Sequence, residues 1–299
     1  MRVTQQMLDR SLLQAINQRM VRLRDSNRQL SSGDRVGTVS DDPTASAQIL
    51  RARRTEEQIA TYLQNVDSVD AVLSTATSSL QTASETMSRV RQLATQAATG
   101  TYTDADRKNM ASEVDESIES LVSLANSRLN GQYIFAGARG EARPFEVTRD
   151  TQGQIQDVRY CGAGTSTEAT VGPDRTAEMN MVGRDVFQRR GDTFGTLVQL
   201  REAVKAGDQE EIENLLGETK RQEKGIRESL GIAGARQSQL GMLRSSLERF
   251  SSTNGEILSE LSDADMAEVT IDYQRNMTSL QWALKVSAQA SRPSLVDYL

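Results

Sequence analysis

Between Pro43 and Ala98 the apolar side chains hold one face: Ile59, Leu63, Val66, Val69, Leu73, Ala76, Leu80, Ala83, Met87, Val90, Ala94 and Ala97 follow spacings of three and four. That alternation is a heptad-like seam, and at 1.5 Å per residue it predicts a helix about 80 Å long. An ordinary globular helix is far shorter, and a helix takes most of its stability from the face it packs. This one therefore needs a partner along its length. The composition agrees: 37% of the chain is hydrophobic but only 4% aromatic, which suits thin helical packing better than a thick globular core.

Candidate partners lie on both sides. Leu8, Leu12, Ile16, Met20, Leu23 and Leu30 form a helical stripe and predict a first helix over about residues 4–31. Gly33 suits its left-handed C-terminal cap, and Asp42 before Pro43 supplies an N-cap and a pre-set first turn for the long helix. GTYTDAD at 100–106 breaks that helix, and Thr103 or Asp104 caps a third one carrying Met110, Val114, Ile118, Leu121, Ala125 and Leu129 up to a stop at Asn130-Gly131. The second and third helices then form an antiparallel hairpin.

The pattern changes after Gly131. YIFAG, PFEVTRD, QIQDVRYCG, EATVG and AEMNMVG are short, rich in β-branched or aromatic residues and divided by glycine turns, with TRDTQGQ as a hairpin tip. Residues 132–190 read as a β-rich insert with a compact core of its own, built on Tyr133, Phe135, Phe145, Tyr160 and Phe187. Helical spacing returns in TFGTLVQLREAVKAG. Asp208 then caps a helix with Ile212, Leu215 and Leu216, and a long tract follows from about Lys220 to Ala290, loosened by glycines 225, 231, 234, 241 and 255. Within it Met266, Val269, Tyr273, Met277, Leu280 and Leu284 repeat the three-and-four spacing.

The expected fold is mainly α with a β-rich insert: a long antiparallel helical coiled-coil rod made from both chain ends, with a small β-containing outer lobe in the middle. The expected divisions are an N-terminal assembly helix and joint loop (1–42), a long helical hairpin (43–131), the outer lobe (132–190), returning helices (191–261) and a C-terminal assembly helix (262–299). A plain intramolecular bundle fits the same periodicity.

Chemistry is scarce. The chain has no histidine and one cysteine, Cys161, so it lacks the commonest general base, the commonest nitrogen metal ligand and any intramolecular disulfide. Cys161 reads as a small buried hydrophobe. The acid pairs Asp41-Asp42, Asp104 with Asp106, and Asp263 with Asp265 each open a predicted helix, so capping accounts for them. The runs RDTQGQIQD and GDQEEIENLLGE lack the ligand alternation of a calcium loop, and GARG and YCGAG read as turns rather than phosphate loops. No catalytic, cofactor or metal residue is expected. A net charge of −6 argues against nucleic acid, and no apolar run approaches the ~20 residues that span a bilayer. The start, MRVTQQMLDRSLLQAINQRM, has no apolar signal segment, so composition alone predicts a cytoplasmic protein.

Three stretches carry a resemblance that changes this last expectation. LSSGDRVGTVSDDPTASAQ at 30–48 resembles the N-terminal signature of bacterial flagellins and their relatives. SRLNGQYIFAGARGEARPF resembles the passage from helical hairpin to outer lobe in hook-filament junction proteins, and LSDADMAEVTIDYQRNMTSLQWALKVSAQASRPSLVDYL resembles the family's C-terminal helix. YIFAG and the terminal SLVDYL look more like the hook-associated junction proteins than the filament subunit. The resemblance implies a structural protein exported to the flagellum without a cleaved signal. Its implied partners are neighbouring copies in a ring, the first hook-associated junction protein (FlgK-like), flagellin and, before secretion, an export chaperone, with no membrane insertion.

Under that reading the assembly interface consists of Leu8, Leu12, Ile16, Met20, Leu23, Leu30, Arg35, Asp41 and Asp42 with Met266, Val269, Tyr273, Met277, Leu280 and Leu284. The apolar members are expected to form a terminal coiled coil. The alternatives are flagellin itself and a soluble coiled-coil signalling module. The latter explains the heptads but requires neither a β-rich insert nor the DDP and FAG motifs.

Overall fold

The computed structural model describes residues 2–99 and 102–290, without the side chains of 2–6, 8, 9 and 290. Gly100 and Thr101 of the expected break, the Leu8 side chain and the terminal SLVDYL lie outside it. The elements run α1 (Arg2–Ser32), α2 (Pro43–Ala97), α3 (Asp104–Ala125), β1 (Arg128–Leu129), β2 (Gln132–Tyr133), β3 (Phe145–Arg149), β4 (Ile155–Tyr160), β5 (Glu168–Gly172), β6 (Arg175–Glu178), α4 (Gly183–Phe187), α5 (Thr193–Ala206), α6 (Gln209–Ser262) and α7 (Met266–Ala290). Fold class follows the sequence: helices dominate, and the strands form three separate two-stranded antiparallel sheets.

The helix boundaries have local causes. Gly33, at φ 78°, donates its N–H to the Gln29 carbonyl at 2.8 Å and ends α1 in the left-handed conformation a side chain disfavours. The Asp42 carboxylate accepts from the Ala45 N–H at 2.9 Å and Pro43 opens the first turn of α2. Thr103 caps α3 reciprocally with Asp106: the Asp106 N–H donates to the Thr103 hydroxyl and the Thr103 N–H to the Asp106 carboxylate, so two orphan donors are satisfied at once. The Thr103 partners also hold the Asp106 carboxyl below its usual range.

The chain divides into two compact units, residues 1–58 with 250–299 and residues 59–249, to both of which α2 and α6 contribute. In the larger unit, α2 and α6 run antiparallel, with the Thr77 hydroxyl 3.1 Å from Gln237 Oε1 and Arg244 paired with Asp67 at 3.2 Å. Its core joins Leu80, Met87 and Val90 of α2, Val114, Ile118 and Leu121 of α3, Leu197, Leu200 and Val204 of α5, and Ile212 and Ile226 of α6.

Three expectations need correction. The third helix stops at Ala125, and Leu129 lies in β1 rather than on a helical face. Asn130 (φ 51°) and Gly131 (φ 83°) both take positive φ and turn the chain directly into β2, with Leu129 paired to Gln132, so Asn-Gly closes a two-residue hairpin instead of capping a helix. Second, the β-rich segment has no separate core. Phe145 packs its ring against Tyr160, Phe187 and Phe194, and these rings belong to the same buried cluster as the helical hairpin. Strands of two to six residues offer too little apolar face to bury one another, so they use the helices. Third, the helix capped by Asp208 is continuous to Ser262 despite its glycines.

Buried Arg201 of α5 fastens the β3–β4 hairpin to the helices. Its guanidinium donates to Asp115 of α3 at 2.5 Å and to the Ile155 carbonyl of β4 at 2.9 Å, and it pairs with Glu202 at 2.9 Å.

Candidate assembly surface

The smaller unit is built differently. Its buried apolar side chains among the described residues are Ala45, Ile49 and Ala52, all on α2. On α1 and α7 no described apolar side chain is buried; each is exposed or only partly covered. The two helices pack together and run antiparallel, because the end of α1 meets the start of α7: Asp34 and Asp263 form an antiparallel bridge, and Ala264 N–H donates to the Gly33 carbonyl at 2.8 Å.

The partly buried seam of α1 includes Leu12, Ile16, Arg19, Leu23, Ser26 and Leu30, with spacings of four and three in strict alternation. That of α7 includes Val269, Tyr273, Asn276, Leu280, Ala283 and Ser287, in the same alternation. Seven expected residues thus lie in the seam. Met20, Met266, Met277 and Leu284 do not, at 54%, 45%, 41% and 51% exposure. The cause is geometric. Each step of four turns the helix about 40° beyond a full circle, so two in succession, as in 12–16–20, leave a stripe that a step of three restores. The seam therefore runs through Arg19, Asn276 and Ala283, which a search for apolar residues passes over, and places the four apolar residues about 60–80° to its side.

Further apolar side chains are exposed: Leu13 and Val21 on α1, and Ile271, Trp282 and Val286 on α7. Trp282 is 63% exposed, with the Lys285 ammonium 5.3 Å from its ring centre. Sequence reasoning missed these. The signal was present in the sole tryptophan of the chain, placed on an amphipathic helix.

Arg35, Asp41 and Asp42 are engaged within the chain. The Arg35 guanidinium donates to the Leu261 carbonyl at 2.8 Å, and its backbone N–H donates to the Ser262 carbonyl at 2.6 Å. Asp41 accepts from the Thr38 and Gly37 N–H groups at 2.8 and 3.2 Å and from Arg28 at 2.8 Å. The Thr38 bonds and Arg28 hold its carboxyl below the usual range. Asp263 accepts from the Ser259 and Ser262 hydroxyls, which lower its carboxyl likewise, and Asp265 caps α7 through the Ala267 and Glu268 N–H groups at 2.9 and 3.2 Å. The two helix breaks are thereby laced together.

Among the described residues no group of three or more His, Cys, Asp or Glu could hold a metal ion, and no helix is long and apolar enough to cross a membrane. Cys161 follows β4 and is partly exposed rather than buried.

Residues 3–139 match the bacterial flagellin N-terminal helical region, which includes α1, the joint, the long helix and the start of the β segment. Over those residues the chain is similar to bacterial flagellins. It is 27% identical to flagellar hook-associated protein 3 of Salmonella typhimurium, over 99% of this chain and 98% of that one. With phase 1 flagellin of Salmonella naestved it shares 25% identity over 60% of this chain and 37% of that one. A flagellar hook-associated protein structure from Vibrio parahaemolyticus superposes with a TM-score of 0.67 at 21% identity, over 75% of this chain and all of that one, and shares its fold.

Proposed function

We propose that this chain is a structural component of the bacterial flagellum, a junction subunit that links the hook-associated region to the flagellin filament. The observation that carries the reading is the α1–α7 pair, which buries none of its described apolar side chains fully and leaves Leu13, Met20, Ile271, Met277, Trp282 and Leu284 exposed. Helices gain most of their stability from packing, and apolar patches of this kind are interaction surfaces. Copies around a ring bury them through contacts that need not be self-complementary. The near full-length match to a hook-associated protein, against a partial match to flagellin, favours the junction over the filament subunit.

The ends of such a ring meet a FlgK-like junction protein on the hook side and flagellin on the filament side. A chaperone covers the apolar helices before export. The role is structural rather than enzymatic.

Electron microscopy of cells lacking the gene tests the reading. Hooks without filaments, with flagellin shed into the medium, are expected, whereas normal filaments contradict it.

A further inference from the structure

The buried stripe of α6 changes character along the larger unit. From Ala233 through Leu240 to Leu247 it is apolar and repeats every seven residues. From 219 to 229 the apolar repeat continues only at Ile226, and around it the stripe carries Thr219, Gln222, Glu223 and Ser229, every one of them buried. Glu223 is held between two helices. It accepts from Arg227 of its own helix, which also donates to the Ser84 hydroxyl of α2 at 3.3 Å, and its other oxygen stands 3.1 Å from Arg91 Nε of α2. Gln222 reaches α5, donating to the Thr196 hydroxyl at 2.7 Å and to the Asp192 carbonyl at 3.1 Å.

A carboxylate taken out of water is a poor source of net stability, because desolvation offsets its attraction to the arginines, and an apolar replacement of similar volume is commonly neutral or stabilising. A seam repeating every seven residues, meanwhile, has a near-equivalent alternative seven residues away. The polar cluster is the part of α6 that does not repeat. We infer that Glu223, with Gln222, is a register lock: it selects one axial position of α6 against α2 and α5 at some cost in stability. Displaced by a heptad, the carboxylate keeps Arg227, which travels with it on α6, but loses Arg91 of α2, while Gln222 loses its partners on α5.

The single cysteine makes the test practicable. In a Cys161→Ser background, Thr77→Cys with Gln237→Cys reports the observed register, in which those side chains meet. Thr77→Cys with Arg244→Cys reports a seven-residue displacement, since Arg244 lies beside Asp67 and the pair is otherwise offset by at least about 10 Å along the helices, too far to bridge. Into each pair Glu223→Met is introduced. Arg91 and Arg227 keep 39% and 59% of their side-chain surface exposed, so their charge still reaches water when the carboxylate is removed, although Arg91 Nε itself is buried.

With Glu223 present, the first pair oxidises and the second does not. With Glu223→Met, the second pair is expected to cross-link at least tenfold faster than with Glu223, while the thermal midpoint holds or rises. Cross-linking confined to the first pair overturns the inference, whatever the midpoint does. Glu223→Gln, which keeps shape and hydrogen bonding but not charge, guards against a folding failure. It should give intermediate cross-linking of the second pair, and none at all overturns the inference equally.

Discussion

Replacing Arg201 with methionine should uncouple the β3–β4 hairpin from the helices. The substitution keeps much of the aliphatic stem but removes the bonds to Asp115 and to the Ile155 carbonyl. What remains is costly: a carboxylate whose side chain is 21% exposed and a buried carbonyl without its donor. Breaking a buried pair costs roughly 3–5 kcal/mol when the surviving charge is sealed from water. Asp115 retains some solvent, so about 3 kcal/mol is the expected loss, which lowers the midpoint of a unit this size by about 6–12 °C. Calorimetry on the purified chain measures it. Asp115→Leu added to Arg201→Met should restore about half the loss by removing the stranded charge. A single-variant cost under about 1 kcal/mol, or a double variant no better than the single, refutes the account of Arg201 as the bolt of the lobe.

Leu280→Asp places a charge in the α1–α7 seam, and swimming should be abolished while the calorimetric transition of the larger unit is unchanged; motile cells would show that this seam is not needed for assembly. Thr103→Ala removes a reciprocal cap and should cost about 1 kcal/mol by chemical denaturation, with Asp106→Ala costing little more on top because the two act as one motif. Asp41, Asp106 and Asp263 all have carboxyl groups held below the usual 3.8 by their hydrogen bonds. A depressed carboxyl adds stability that is present above 3.8 and lost as pH falls through the folded value, so acid titration by circular dichroism should show loss setting in below about pH 4, shallower in Asp263→Asn.

The long helices were legible because periodicity over many residues leaves little room for another reading, and their caps at Gly33, Asp42 and Thr103 are local chemistry. Asn130-Gly131 was ambiguous for a physical reason: the same pair suits a helix end and a two-residue hairpin, and only the pairing of Leu129 with Gln132 decides between them. The shared core of Phe145, Phe187 and Phe194 with the helices was not legible, since nothing in the order of aromatic residues says which face they seek. On the terminal helices, apolarity located the paired elements but not the phase of their seam. The seam follows a phase that admits Arg19, Asn276 and Ala283, and the apolar residues beside it stay exposed.

The central claim is that α1 and α7 depend on neighbours for stability while the larger unit folds by its own core. Amide hydrogen exchange on the purified monomeric chain tests it most directly. Amides of α1 and α7 should exchange at least a hundredfold faster than those of α3, α5 and residues 59–97 of α2, whose side chains fill the buried cluster. Equal protection of the terminal helices and the core helices in the monomer would contradict the account.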